Sequence, residues 1–358
     1  MDSSGISRRV LVAGTAAGLT AGLTAGAAGC SSSRQPSAAG STPAPPTASA
    51  PSSAAPASSS GAASPSAASS TASPSVSPTG TTLPATTVWQ PSSNDIDPQV
   101  KLRAVQLIEA LGAWLEGQQG TAAARAKVSA LGLDPALAAQ AGGLTGSAPQ
   151  AALQVLEAQY GGILTDTASV MVVCRQWTRG ASGAVVPGGT TVDVRLSRSS
   201  PRWTVTALHP AQPGAAAASL PSAAEQVLSS SSVTLPPAAE ADIRSGQIHS
   251  SVLDALLTLA RSYRIELSVV RSGHPLDVFG TNRPSDHPQG RAFDVWRING
   301  HAVVDPATSR SLIEGFMRAA AAVGSYNVGG PWLLSGGTGN QFFSDNTHHD
   351  HVHVGFSS

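Results

Sequence analysis

The stretch that decides the reading is Ser285-Asp286-His287-Pro288-Gln289-Gly290-Arg291-Ala292-Phe293-Asp294, answered near the C-terminus by Asp350-His351-Val352-His353. Two imidazoles and a carboxylate drawn from these separated segments make a three-ligand set that leaves a zinc ion one open position for water. A hydrolytic zinc site requires that open position. The local pattern places such a site on strands. From Arg291 to Arg297, Phe293 and Val295 share one parity while Ala292, Asp294 and Trp296 share the other, so Asp294 leaves the strand on one side and its neighbours fill the core. His351-Val352-His353-Val354 repeats the arrangement, with histidines on one face and valines on the other.

The spacing from Ser285 to Asp294 resembles the Ser-x-His-x-x-Gly-x-Ala-x-Asp signature of zinc D,D-carboxypeptidases and the related vancomycin-resistance D,D-dipeptidases. Ser285, His287, Gly290, Ala292 and Asp294 match every named position. The closing His-x-His is similar to the one these enzymes share with lysostaphin-type peptidases and the hedgehog signalling domain. The resemblance covers about 235–356. It implies His287, Asp294 and His353 as zinc ligands, and Ser285 as a residue that helps to hold substrate. In that family a strand ends in Arg-Ser ahead of the first ligand; here Ile265-Glu266-Leu267-Ser268-Val269-Val270 alternates as a half-buried strand and delivers Arg271-Ser272. Arg271 therefore matches the arginine that stabilises charge near the metal, a task for which a fixed guanidinium is suited. Asp350 stands where the dipeptidases carry the glutamate of Glu-x-x-His, with a shorter reach, so Asp350 and His351 are both candidate bases. His348 and His349 are either partners that orient a ligand or exposed histidines without a role. His249, His274 and His301 have no motif context.

The chain has 358 residues, zero formal charge and 12% charged residues, so no basic surface argues for nucleic acid or for an anionic membrane face. Residues 1–29 hold Ser7-Arg8-Arg9-Val10-Leu11-Val12 and an Ala/Gly/Leu/Thr run, which resembles a twin-arginine export signal. Ala27-Ala28-Gly29-Cys30 is similar to a bacterial lipoprotein cleavage site, which implies lipid on Cys30, an anchor in the membrane and a protein outside the cytoplasm that faces the cell wall. Residues 30–91 are almost entirely Ser, Ala, Pro, Thr and Gly, a composition with few large side chains to bury, and read as a disordered tether. Cys174 lies in the apolar run after Val170 and reads as a buried small hydrophobe.

Asp97-Pro98 reads as a helix start, and Leu102, Val105, Ile108, Leu111 and Leu115 predict a helix over 98–118. Shorter helices are predicted over 122–131, 135–141 and 149–160, then strands over 169–178, 190–197 and 202–209. Helices followed by a curled sheet make 92–215 similar to a cone-shaped α+β domain of the nuclear-transport-factor-2-like type, with little chemistry of its own, a spacer or interaction module. Residues 220–358 then carry helices over 235–243, 251–263 and 312–323 around an antiparallel sheet, the hedgehog/D,D-peptidase-like zinc domain. The whole is of the α+β class. Two functions follow: a zinc peptidase that cleaves D-amino-acid-containing stem peptides of peptidoglycan, as carboxypeptidase or endopeptidase, or a zinc-containing module that binds the wall without turnover.

Overall fold

The computed structural model describes residues 80–358. The export signal, Cys30 and most of the tether lie outside the described residues. The end of the expected tether, 80–91, is not free chain. Gly80 accepts from the Val185 N–H, the Thr87 N–H donates to Gln154 Oε1, and half-buried Trp89 packs on the neighbouring core. Trp89 is the first aromatic residue of the chain, and its partial burial gives the segment a reason to dock.

Helix α1 (Pro98–Gly112) buries Val100, Ala104, Val105, Leu107, Ile108 and Leu111. It stops six residues before the predicted end because Trp114 exchanges two backbone hydrogen bonds with Ala151, at 3.0 and 2.9 Å, which takes its peptide groups out of the helical ladder. Asp97 is not a cap: it has φ 41° and its side chain makes no capping bond. Helix α2 (Gly120–Ala130) follows, and the predicted helix at 135–141 is a tighter 3-10 turn, Pro135–Gln140.

Strands β1 (Gln150–Ile163), β2 (Thr167–Arg179), β3 (Val185–Ser197) and β4 (Thr204–Pro210) form an antiparallel meander in that order. The helix predicted over 149–160 is therefore strand β1. Its Ala, Leu, Gln and Glu content favours helix locally, but a long ladder with β2 overrides that preference. A bulge after Val155 shifts the parity of β1: Leu153 and Val155 face the core, then Ala158 and Tyr160 do. Glu157 and Gln159 are thereby turned away from that core.

The second half contains α3 (Ser222–Ser229), β5 (Val233–Thr234), α4 (Pro237–Arg244), α5 (Ser250–Leu259), β6 (Ile265–Val269), β7 (Ala292–Ile298), β8 (His301–Ala302), α6 (Arg310–Ala322), β9 (Asn327–Gly329), β10 (Phe342–Phe343) and β11 (Val352–Gly355). The sheet runs β10-β9-β11-β7-β6-β5, with β8 on β7. It is mixed rather than antiparallel, because β5 pairs parallel to β6 and β10 parallel to β9. The chain between β5 and β6 passes through α4 and α5, a crossover that returns the strand in the same direction. One apolar cluster joins α1 to the first sheet; another joins α3, α5 and α6 to the second. Phe293 and Phe316 are fully buried in the latter, each contributing roughly 1.5–3 kcal/mol by leaving water. The described chain is α+β.

Candidate metal centre

Strands β7 and β11 pair with His353 opposite Asp294 and Val354 opposite Phe293. Phe293, Val295, Val352 and Val354 enter the core, so Asp294 and His353 emerge together on the other face. His287 arrives from a 3-10 turn, His287–Gln289, closed by Gly290 at φ 71°. A side chain at Gly290 would put a Cβ 2.1 Å from the Gln247 carbonyl oxygen, which explains the glycine of the motif.

These three elements bring three donor atoms into a near-equilateral triangle. His287 Nε2 lies 3.1 Å from Asp294 Oδ1 and 3.1 Å from His353 Nδ1, and His353 Nδ1 lies 3.0 Å from Asp294 Oδ1. The His287 Nδ1–H donates to the Val270 carbonyl at 2.9 Å, which leaves Nε2 as the lone-pair nitrogen. Asp294 Oδ2 accepts from Gln159 Nε2 at 2.7 Å. Burial pushes the Asp294 carboxyl up, but His287 and His351 hold it well below the usual range. Burial lowers the His353 imidazole to about 4, keeping it neutral and able to bind a cation.

His274, without motif context in the sequence, also belongs here. His274, His287 and Asp294 set ligand atoms within 4.8 Å of one another and form a group that could hold a metal ion. Two triads therefore share His287 and Asp294. The His274 ring stacks on His287, with centroids 4.1 Å apart and planes at 17°. In-plane lone pairs of parallel rings run side by side rather than converging, whereas the His353 ring is tilted by 58° to His287.

His351 lines a cleft of about 420 Å³ beside the triangle, together with Ser285, Arg283, His348 and His353. Its Nδ1–H donates to Asp350 Oδ1 at 2.6 Å, and its Nε2 lies 3.7 Å from Asp294 Oδ2. Asp350 sits behind it. Asp350 Oδ2 accepts from Lys101 Nζ at 2.6 Å and from the Tyr160 N–H at 3.0 Å. Burial raises the Asp350 carboxyl, and Lys101 with His351 outweighs it and draws it down to about 2. Burial alone lowers the His351 imidazole, but Asp294 and Asp350 raise it on balance.

Ser285 Oγ lies 3.4 Å from the His287 N–H and from His274 Nδ1, at the rim of the cleft. His348 lines the cleft with its Nδ1 on Asp345 at 2.8 Å. Arg271 does not line that cleft. Its guanidinium lies 3.7 Å from Asp242 and 3.4 Å from the Pro213 carbonyl, and it borders a neighbouring cavity of about 870 Å³. Buried Asp242 on α4 captures it, so the arginine of the cleft wall is Arg283 instead.

Lys101, Gln159 and Tyr160 come from the half that the sequence marked as poor in chemistry. One signal for Lys101 was present: it shares the apolar stripe of Val105 and Ile108, and a lysine in such a stripe is buried only when paired. Lys101 is fully buried between Asp95 and Asp350. No protein-family model, curated protein or solved structure matches this chain.

Proposed function

We propose that the chain is a zinc peptidase that acts on D-amino-acid-containing peptides of peptidoglycan, with residues 220–358 as a domain of the hedgehog/D,D-peptidase type. The observation that carries the reading is the His287, Asp294 and His353 triangle, with edges of 3.0–3.1 Å, whose His353 lines the same cleft as His351. Tetrahedral ligation at bonds of 2.0–2.1 Å has donor–donor edges of about 3.3 Å, and two imidazoles with one carboxylate are a common catalytic zinc set. These residues fit the ion. When bound, zinc would supply a Lewis acid for the scissile carbonyl and make a water more acidic.

The chain's own groups supply the rest. Asp350 accepts from His351 Nδ1, which leaves Nε2 free to take a proton from water in the cleft and return it to the departing amine. Arg283 and Ser285 line the cleft, where Arg283 would stabilise negative charge on the substrate and Ser285 would hold the peptide. The N-terminal sequence supports delivery to the outer face of the membrane on a lipid at Cys30, with stem peptides as partners. The helix-then-meander order of the first half is compatible with a nuclear-transport-factor-2-like domain.

Mass spectrometry of defined peptidoglycan pentapeptides, incubated with the zinc-loaded chain with and without chelator, tests the proposal. Chelator-sensitive loss of one D-alanine identifies a carboxypeptidase, and loss of an internal fragment an endopeptidase. Zinc binding without product would replace the peptidase by a wall-binding module.

A further inference from the structure

Two carboxylates of the centre divide their oxygens in the same way. Asp294 gives Oδ1 to the donor triangle and Oδ2 to Gln159; Asp350 gives Oδ1 to His351 and Oδ2 to Lys101 and the Tyr160 N–H. Each therefore turns one oxygen to the chemistry and one to the first half of the chain. Gln159 reaches Asp294 because of the bulge after Val155, which reverses the facing of β1 just before it. Its amide is fully buried, and its Oε1 has no hydrogen-bond partner among the described residues. An unsatisfied buried acceptor is a cost to folding, and the opposite amide orientation would set oxygen against carboxylate oxygen. The arrangement is therefore explained by what the Nε2 donor does for Asp294 rather than by stability.

We propose that Gln159 is a positioning residue of the metal centre, so that the first half of the chain is a working part of the site and not a spacer. This rests on the reading that His287, Asp294 and His353 hold the ion. A donor on the second oxygen of a ligating carboxylate fixes its orientation, and loss of such a partner weakens metal binding by about 10–100-fold.

The test uses the full chain with Gln159→Met, which keeps length and apolar bulk but cannot donate. Zinc affinity is read by competition with a chromophoric chelator, and the melting of the metal-free proteins is compared. A Kd weakened about 10–100-fold, with metal-free melting unchanged, supports the role. In the unaltered chain, hydrogen exchange of amides 157–161 is followed with zinc and after chelation, and added protection with zinc is expected. That measurement decides the matter if the Met variant does not fold. An unchanged Kd in a folded variant, or exchange in 157–161 indifferent to zinc, overturns the role of Gln159 alone. A parent chain that binds no zinc overturns the proposed function as well, and is seen without any variant.

Discussion

Asp350 Oδ1 accepts the Nδ1–H of its neighbour His351 at 2.6 Å, and of the pair only His351 lines the cleft. On the proposed reading, His351 is the base and Asp350 the partner that orients it. His351→Gln should lower kcat by about 10²–10⁴-fold with zinc content kept. Asp350→Asn should also lower the melting temperature, since Lys101 then loses a charged partner in a buried place. Steady-state kinetics and thermal melting of both variants separate the roles; a His351→Gln protein as fast as the parent would remove His351 from the chemistry.

Gly290 and Gly300 have similar backbone angles, φ 71° and 83°, but different surroundings. At Gly300 nothing lies within 4 Å of an added Cβ, so Gly300→Ala should cost about 1–2 kcal/mol for the left-handed conformation. At Gly290 the Gln247 carbonyl blocks the Cβ, so the loss should be larger and should weaken zinc binding by displacing His287. Urea titrations of the two variants, side by side, measure the difference. Equal losses would mean that the Gln247 backbone yields freely.

Spacing assigns the charge-stabilising role to Arg271, but the arginine that lines the cleft is Arg283, and the proposed function gives the role to it. Arg271→Met should leave kcat/KM unmoved and lower stability by about 1–3 kcal/mol, because Asp242 stays buried. Arg283→Ala should lower kcat/KM by about 10²-fold, as expected for a lost charge-stabilising donor, with stability unchanged. The reverse pattern in kinetics would return Arg271 to the site.

Burial pushes the Glu157 carboxyl from 4.5 up to about 7, against the pull of Lys101. Below its unfolded value the group is neutral in both states, and as pH rises through 7 the folded protein must carry a charge that burial disfavours. Stability from the neutral form is therefore present at pH 4 and lost by pH 8. Glu157→Gln should leave the urea midpoint of the zinc-free chain unchanged at pH 4 and raise stability by roughly 1–3 kcal/mol at pH 8. A variant less stable at pH 8 would assign Glu157 to the compensation of Lys101.

What the sequence made legible is local. Parity alone separated Asp294 from Phe293 and His353 from Val354, and the same parity builds the site. What it hid depends on distant partners. Strand β1 is written in helix-forming residues, and only its ladder with β2 makes it a strand. The facing of Gln159 depends on a single bulge, which no spacing announces. Arg271 ends its strand in the expected place, but Asp242 on a separate helix decides where its guanidinium goes. His274 carries no motif and reaches His287 through the path of a loop.

The pairing of β11 with β7 sets donors on one face and core residues on the other, in a strand of only four residues. A slip of one position would drive His353 into the apolar layer and carry Val354 out to the cleft. So short a segment has few backbone bonds with which to select its own alignment. An ion gripped by His287, Asp294 and His353 stabilises one alignment and no other. On the proposed reading, the metal would thus proofread the closure of the sheet at the very end of the described chain.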